Sequence, residues 1–306
     1  MNLGKSANWT ESSLGELGEE RLLQQLLPRL PRTRSVIAGA GDDCAVVQFA
    51  GSRKLLLLKT DCVVEGVHFT AATKPRAIGW KAMARPLSDF AATSGVPQFA
   101  LVTFIAPAST SVQWVKEVYR GLAQAARAFA VAIVGGETSG TQGPATITVA
   151  LSGIVEKDRW VSRRGGQAND QLFVTGRLGG SLRGKHLKFL PRIREARWLT
   201  KHFEVHAMVD LSDGLGADLP RLAAASKVGF ELDEPAIPRN RGCTVKQAIA
   251  DGEDYELLFA ISAAEGGTLQ KAWKKKFPKL PLTLIGRLNR KSQTANRKLS
   301  GYVHFR

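Results

Sequence analysis

Residues 207–226 have the sequence AMVDLSDGLGADLPRLAAAS. The apolar residues Ala207 to Val209 predict a strand, and Leu215 to Ser226 predicts a helix. The turn between these elements contains two carboxylates and one hydroxyl group, which belong to Asp210, Ser212 and Asp213. Any one of them can cap the following helix. Because a cap does not require an acid on each side of a serine, this turn favours a metal site.

Further acidic clusters lie where a predicted strand or helix gives way to a turn, mostly beside glycine. They are Gly41-Asp42-Asp43, Thr60-Asp61, Leu87-Ser88-Asp89, Gly135-Gly136-Glu137 and Gly252-Glu253-Asp254. This is unexpected in a chain with 43 Lys and Arg residues and 27 Asp and Glu residues, a net charge of +16. Gathered carboxylates repel one another unless cations hold them together, and Mg²⁺ prefers carboxylate and phosphate oxygens. The clusters therefore predict a site with several metal ions that handles phosphate.

Each cluster taken singly also fits an ordinary structural role. The aspartates of Gly41-Asp42-Asp43 fit a local cap in a turn, and Gly135-Gly136 fits a flexible turn. Asp89 fits an ion pair with Lys81 or Arg85, of which only Arg85, four residues earlier, shares its local helical face. His68 fits an ordinary loop histidine. These alternatives stay open at the level of single motifs.

The chain of 306 residues is 44% hydrophobic, so it can bury a sizeable core as one large or two medium domains. No apolar run approaches the roughly 20 residues of a membrane-spanning helix, and the first 13 residues are too polar for a signal peptide. Cys44, Cys62 and Cys243 lack metal-type spacing and fit reduced thiols. We therefore expect a cytoplasmic protein without a membrane partner.

The high positive charge is also typical of proteins that bind nucleic acid. The basic stretches Arg183 to Lys201 and Lys271 to Lys298 lack aromatic residues at a stacking spacing, so a nucleic-acid partner is not favoured. Residues Gly179 to His186 have the pattern G-x-x-x-x-G-K-H, which resembles a phosphate-binding P-loop. His186 cannot supply the hydroxyl group that holds Mg²⁺ in that motif, so we do not favour a P-loop nucleotidase.

Strands and helices mix in both halves without regular alternation, which predicts an α+β (mixed α/β) fold. A polar stretch from Glu156 to Asp170 suggests a boundary between domains 14–155 and 156–306. Leu14 to Leu30 predicts one amphipathic helix. Pro75 to Thr93 predicts another helix, which Pro86 is expected to kink or split.

The acidic clusters are accompanied by further specific stretches along nearly the whole chain. These are Val63-Val64-Glu65-Gly66-x-His68-Phe69, Asp254-Tyr255-Glu256-Leu257 and the terminal Gly301-Tyr302-x-His304-Phe305. In this joint order the motifs resemble those of the thiamine-monophosphate kinase family, within the aminoimidazole-ribonucleotide-synthetase-like (PurM-like) superfamily.

The resemblance implies ATP-dependent phosphorylation of thiamine phosphate to thiamine diphosphate, with several Mg²⁺ ions and with ATP as co-substrate. It also implies a two-domain PurM-like fold. The two N-terminal domains of a homodimer would pair their sheets into a barrel, with ATP near that interface. Phosphoryl transfer depends mainly on positioning and on neutralised phosphate charge, which fits an acid-rich metal site.

Matching the family motifs residue by residue gives three implied sets. The implied metal ligands are Asp43, Thr60, Asp61, Asp89, Glu137, Asp210 and Asp213. The implied contacts to ATP are Gly136, Arg163 and Ser212. The implied contacts to thiamine phosphate are His68, Glu253 and Tyr302, with Tyr302 stacking on the substrate rings.

The chain departs from the family pattern at positions close to these sets. Glu137 stands where the family usually has Asp, so the carboxylate reaches one methylene further. Lys59 stands where a small hydroxyl residue commonly precedes Thr60-Asp61, and a cation there could replace one metal ion or weaken its binding. Two alternatives therefore stay open: another ATP-dependent PurM-like enzyme with a different phosphorylated substrate, and a nucleotide-binding protein with reduced catalysis.

Overall fold

The computed structural model describes residues 13–31, 33–290 and 301. Tyr302, predicted to stack on the substrate, lies outside these residues. Near the N-terminus, two short helices, α1 (Leu14–Leu17) and α2 (Glu19–Leu26), replace the single predicted helix. Gly18 separates them because its φ of 75° is incompatible with a continuous right-handed helix. A 3₁₀ turn over Leu27–Arg29 follows.

The first sheet has six strands in the order β1-β2-β3-β6-β4-β5. The strands are β1 (Val36–Ala38), β2 (Ala45–Gln48), β3 (Lys54–Val64), β4 (Val96–Ala106), β5 (Ala132–Gly140) and β6 (Thr146–Glu156). Neighbouring strands are antiparallel except for the parallel pair β4 and β5. Helices α3 (Pro75–Ala92) and α4 (Val112–Ala128) pack together beside this sheet.

Strand β3 continues beyond Lys59, although the sequence predicted a turn at Thr60-Asp61. Thr60 and Asp61 lie inside the strand, where Thr60 pairs with Ala150 and Asp61 with Val149. Side chains alternate along a strand, so Lys59 and Asp61 share the face of the buried residues Leu55, Leu57 and Val63. Thr60 and the exposed Leu58 lie on the opposite face. The strand thus separates the two members of the predicted Thr60-Asp61 metal pair.

Helix α3 continues through Pro86, so the proline does not split it, which was one of the two outcomes expected from sequence. An interior proline costs about 3 kcal/mol of helix stability. Most of the helix from Ile78 to Ala92 is buried, which offsets that cost. The helix contacts strands β3 and β6 as well as the second half of the chain, so it spans the junction between the two halves.

The second sheet has five antiparallel strands in the order β8-β10-β7-β11-β9. They are β7 (Gln171–Thr175), β8 (Val205–Asp210), β9 (Gly229–Leu232), β10 (Leu257–Ile261) and β11 (Leu282–Asn289). The helices of this half are α5 (Ile193–His202), α6 (Leu215–Ala225), α7 (Val245–Ala250) and α8 (Ala263–Lys276). Short 3₁₀ turns occupy Ser181–Arg183, Lys185–Leu187 and Glu234–Ala236.

Both faces of the second sheet are covered. Leu258 and Ala260 of β10 pack in a cluster with α6, whereas Phe259 and Ile261 pack in a cluster with residues of α5 and α8. The predicted boundary between residues 155 and 156 falls just before the last residue of β6, ahead of the start of the second sheet at Gln171, and it stays a prediction. Among the described residues, no helix is both long and apolar enough to cross a membrane.

Candidate functional site

Three carboxylates from distant parts of the sequence converge at the junction of the two halves. Asp43 precedes β2, Asp89 lies near the end of α3, and Asp210 ends β8. One ligand atom from each residue lies within 4.8 Å of those from the other two. The residues are 1%, 7% and 2% exposed, respectively. Three buried acids at this spacing require cations or protons to offset their charges, because each charge opposes ionisation of the others.

Basic side chains already contact this acid cluster, which we define as Asp43, Asp89 and Asp210. Arg163 donates from Nε and Nη2 to Oδ1 of Asp43, at 3.1 and 2.6 Å. The Nζ atom of Lys59 lies 2.7 Å from Oδ1 of Asp89. Burial alone would lower the pKa of Lys59, but the carboxylates of Asp89 and Asp61 raise it above its usual value. Lys59 therefore carries a full charge in the site.

The remaining oxygens of the acid cluster suit a hard cation. The buried Oδ2 of Asp43 has no hydrogen-bond partner. Oδ2 of Asp210 accepts a hydrogen bond of 2.6 Å from the Ser88 hydroxyl group. Burial raises the pKa of Asp89 and of Asp210 in the metal-free protein, and neighbouring acids raise each further. An all-oxygen donor set with an unsatisfied buried carboxylate oxygen fits Mg²⁺.

Asp61 lies beside the acid cluster and is linked to it through Lys59. Its Oδ2 lies 3.8 Å from Lys59 Nζ, and its Oδ1 lies 3.8 Å from Arg85 Nη2. The predicted alternative for Asp89 was an ion pair with Arg85 on the same helix. Asp89 pairs instead with Lys59 on the neighbouring strand, and Arg85 donates to the carbonyl oxygen of Cys62. Packing of α3 on β3 therefore overrides the local helical spacing.

Besides Asp61, which lies beside the acid cluster, three further predicted metal ligands lie outside it. Thr60 is exposed on the opposite face of β3. Glu137 is exposed on β5, an edge strand. Asp213 is half-buried and pairs with Arg221 of α6. The structure does not place these side chains with the acid cluster, so their metal roles stay predictions.

The glycine pair before Glu137 does not form the predicted turn. Gly135 and Gly136 lie within β5, opposite Leu101 and Val102 of β4. A Cβ atom on Gly136 would lie 1.8 Å from the carbonyl oxygen of Val102. This close approach of the two backbones explains why residue 136 is a glycine. It does not test the predicted contact between Gly136 and ATP.

The turn that contains Ser212 is joined to the turn that contains Glu253. The backbone N–H of Glu253 donates to the carbonyl oxygen of Ser212 at 2.7 Å, and Tyr255 donates to Leu211 at 2.8 Å. Glu253 and Tyr255 both have positive φ, at 62° and 52°. Residues other than glycine persist in this region only where the surroundings hold them, often at functional sites. The two acid-rich motifs are thus joined by backbone hydrogen bonds.

Lys81 brings the predicted substrate residues His68 and Glu253 together. Its fully buried ammonium donates to the backbone oxygen of His68 and to Oε2 of Glu253, both at 2.7 Å. Burial favours the neutral form of Glu253, but a hydrogen bond from His186 and the charge of Lys81 outweigh it and lower its pKa to about 2. Glu253 is therefore ionised in the site, and Lys81 positions two motifs that are far apart in sequence.

The loop that resembles a P-loop binds carboxylates. The N–H group of Gly179 donates to Oδ2 of Asp254 at 2.8 Å, and that of Gly180 donates to Oδ2 of Asp251 at 2.7 Å. Two of its backbone donors are thus occupied by the protein's own acids. Residues 179–186 support the 251–254 turn, which agrees with the rejection of a P-loop nucleotidase on sequence grounds.

Sequence reasoning missed Lys81 and undervalued His186, whose Nδ1 lies 2.8 Å from Glu253. From the sequence, Lys81 has only the role of an alternative ion-pair partner for Asp89. A lysine among the apolar residues of a buried helix is a signal that could have singled it out, because a buried ammonium requires a partner. No local signal connects His186 to Glu253, which lies far along the sequence.

The crowded acids predict a pH dependence of the metal-free protein. Burial and Asp43 raise the pKa of Asp42 to about 6, and burial and Asp213 raise that of Asp218 to about 8. Both values lie above about 4, the ordinary value of an unfolded aspartate. The folded state therefore binds more protons than the unfolded state between these values. The corresponding stability is complete below about pH 4 and is lost as pH rises through 6 to 8.

In a chelator, the free energy of unfolding should thus fall by on the order of 4 kcal/mol between pH 5.5 and 8. Urea denaturation at both values measures it. Asp218→Asn should flatten the upper part of this decline. A stability that rises across the window in wild type would contradict the expected crowding.

Comparison with known proteins places this fold and site in a class. The family models described as AIR synthase related protein, N-terminal domain and C-terminal domain match residues 41–155 and 149–278. The chain thus has the two-domain AIR-synthase-related (PurM-like) fold, with the acid cluster between its halves.

Comparison with individual relatives identifies the family within this class. Thiamine-monophosphate kinase of Rhodopirellula baltica is 36% identical over 88% of this chain and 89% of its own length. The chain belongs to the thiamine-monophosphate kinase family. A solved structure described as "AaThiL complexed with AMPPCP and TMP" is 30% identical, covers 96% of this chain and 99% of its own, and has a TM-score of 0.82. The Stenotrophomonas maltophilia thiamine-monophosphate kinase structure is 29% identical over 89% of this chain and 93% of its own, with a TM-score of 0.72.

Proposed function

We propose that this chain transfers the γ-phosphoryl group of ATP to thiamine phosphate, producing thiamine diphosphate and ADP. The observation that carries the proposal is the convergence of the acid cluster, with an unpartnered buried oxygen on Asp43. The similar AaThiL structure is described as a complex with AMPPCP and TMP, which supports both substrates.

An oxygen of the substrate phosphate attacks the γ-phosphorus directly, and the bond from that phosphorus to the bridging oxygen of ADP breaks. The substrate phosphate is ionised at neutral pH, so no strong general base and no phosphoenzyme are required. Bound Mg²⁺ would neutralise charge on the phosphates. Asp43, Asp89 and Asp210 would hold it, and Asp61 lies near enough to contribute.

The other residue roles follow the family correspondence and stay proposals. Arg163 already lies on Asp43, so its guanidinium is placed at the acid cluster, where a nucleotide phosphate would approach. Gly136 and Ser212 are the other proposed nucleotide contacts. His68 and Glu253, held by Lys81, are the proposed contacts to thiamine phosphate. Tyr302 is proposed to stack on the substrate, and the cytoplasm stays the proposed location.

We also propose that the chain forms a homodimer through the outer face of the first sheet. Four large apolar residues on this outer face are between 42% and 58% exposed, and we call it the apolar sheet face: Leu58, Phe99, Leu101 and Val134. Together they line one depression in the surface. Strand β5 leaves one edge of the sheet open among the described strands. A second copy would cover the face and extend the sheet into the predicted barrel.

The function is tested by a coupled assay of ADP release with ATP, Mg²⁺ and thiamine phosphate. We expect turnover that requires all three, and thiamine diphosphate as the product by chromatography. ATP binding without turnover would favour a nucleotide-binding protein with reduced catalysis. Turnover only with another phosphorylated acceptor would favour a different PurM-like enzyme, and steeply salt-sensitive binding to nucleic acid would favour a nucleic-acid partner.

A further inference from the structure

Lys59 places a permanent positive charge between two carboxylates of the candidate site. Its Nζ atom lies 2.7 Å from Oδ1 of Asp89 and 3.8 Å from Oδ2 of Asp61. Because Lys59 shares the inner face of β3 with Asp61, its side chain runs towards α3 and not towards solvent. Its side chain is 23% exposed.

The position between Asp61 and Asp89 resembles a cation site in its chemistry. Both residues offer carboxylate oxygens, and Oδ2 of Asp61 is buried without a hydrogen-bond partner. Magnesium binds carboxylate oxygens at about 2.0–2.1 Å. An ion on Oδ1 of Asp89 would therefore lie close to the Lys59 ammonium, and two cations at such a distance repel strongly in a buried site.

The acid cluster itself remains available for a metal ion. Oδ1 of Asp89 is bound to Lys59, but Oδ2 of Asp43 is unpartnered and the ligand atoms of the three acids lie within 4.8 Å of one another. Lys59 thus occupies Oδ1 of Asp89 and leaves Oδ2 of Asp43 without a hydrogen-bond partner.

We propose that Lys59 is a built-in cation that takes the place of one divalent ion between Asp61 and Asp89. The site then binds one divalent ion fewer than it would with a small residue at position 59. The inference rests on the proposed use of Mg²⁺ and ATP at this site, and it deepens that proposal by assigning a role to a residue of this chain. The lysine neutralises acid charge in the absence of any metal.

The test counts bound Mn²⁺, used as a spectroscopic substitute for Mg²⁺, by equilibrium dialysis and electron paramagnetic resonance with the ATP analogue AMPPCP present. The variant Lys59→Ser should bind one more Mn²⁺ per chain than wild type. Lys54→Ser is the matched control, because Lys54 is an exposed lysine on the same strand. It should bind the wild-type number.

Thermal unfolding gives a second readout that does not depend on turnover. In a chelator, Lys59→Ser should unfold at a lower temperature than wild type, because Asp61 and Asp89 lose their shared cation. Addition of Mn²⁺ should then raise its Tm by more than it raises that of wild type. Lys59→Met keeps the apolar stem without the charge, and serves in the same experiments if the serine variant does not fold.

The outcomes separate this inference from the proposed function. Equal Mn²⁺ numbers and equal Tm responses in wild type and in the Lys59 variants would overturn the role of Lys59 alone. Failure of wild type and of every variant to bind Mn²⁺ would overturn both the inference and the proposed metal use. One additional ion in Lys59→Ser, with the Lys54→Ser control unchanged, supports the inference.

Discussion

The variant Asp210→Asn is expected to lose about a thousandfold in turnover of ATP with thiamine phosphate, because loss of one metal-binding charge removes about 4 kcal/mol of transition-state stabilisation. Asp210 is buried between Asp43 and Asp89, so no other described residue stands in its place in the acid cluster. The amide retains the shape of the side chain and can still accept the hydrogen bond from Ser88. Steady-state kinetics at saturating Mg²⁺ measures the loss.

The same substitution should stabilise the metal-free fold. Burial and Asp43 raise the pKa of Asp210, so its charge opposes folding when no cation is bound. Removing that charge should raise the free energy of unfolding in a chelator by on the order of 1 kcal/mol near pH 8. Asp158→Asn is the control, since Asp158 is exposed outside the site, and it should leave both quantities unchanged. Wild-type turnover in Asp210→Asn would remove Asp210 from the proposed mechanism.

The variant Leu101→Glu is expected to convert the proposed homodimer into monomers. Leu101 is 49% exposed on the apolar sheet face, beside Phe99 and Val134. Burying a carboxylate against this face would leave it without a partner, which should raise the dimer Kd by at least about a thousandfold, or about 4 kcal/mol. Sedimentation velocity over a range of protein concentrations measures the change.

The matched control is Val112→Glu. Val112 is 68% exposed at the start of α4, where an acidic residue is compatible with the helix N-terminus, so this variant should remain dimeric. Because ATP is predicted to bind near the interface, the Leu101→Glu monomer should also lose turnover. A wild-type protein that is monomeric at micromolar concentration would contradict the proposed dimer.

Local sequence placed the Asp210 turn correctly, but it placed Thr60-Asp61 and Gly135-Gly136-Glu137 at turns where the structure has strands. The Asp210 motif appears between a strand and a helix as expected, and Asp43 and Asp89 join it in one cluster. Thr60 was predicted on the same local grounds, but its side chain points away from the acid cluster. The reason is that β3 continues past Lys59 and side chains alternate between the two faces of a strand. An apolar run predicts a strand, but pairing with β6 decides how far the strand extends.

Ion pairs were predicted least well. Helical spacing suggested Arg85 as the partner of Asp89, but the neighbouring strand supplies Lys59. Lys81 joins His68 to Glu253, although 172 positions separate Lys81 from Glu253 in the sequence. Contacts of this kind depend on which elements pack together, and neither propensity nor spacing contains that information.

The sequence by itself determined the α+β class, the order of the acidic motifs and, through their joint order, the resemblance to a kinase family. These features are local, because hydrophobic periodicity and turn chemistry act over a few residues. Only the tertiary structure decided which acids meet, that a lysine occupies the space between Asp61 and Asp89, and that Lys81 links the two halves. The physical reason is that the burial of helix α3 between the halves brings distant charges within a few ångströms, where their interaction outweighs any local preference.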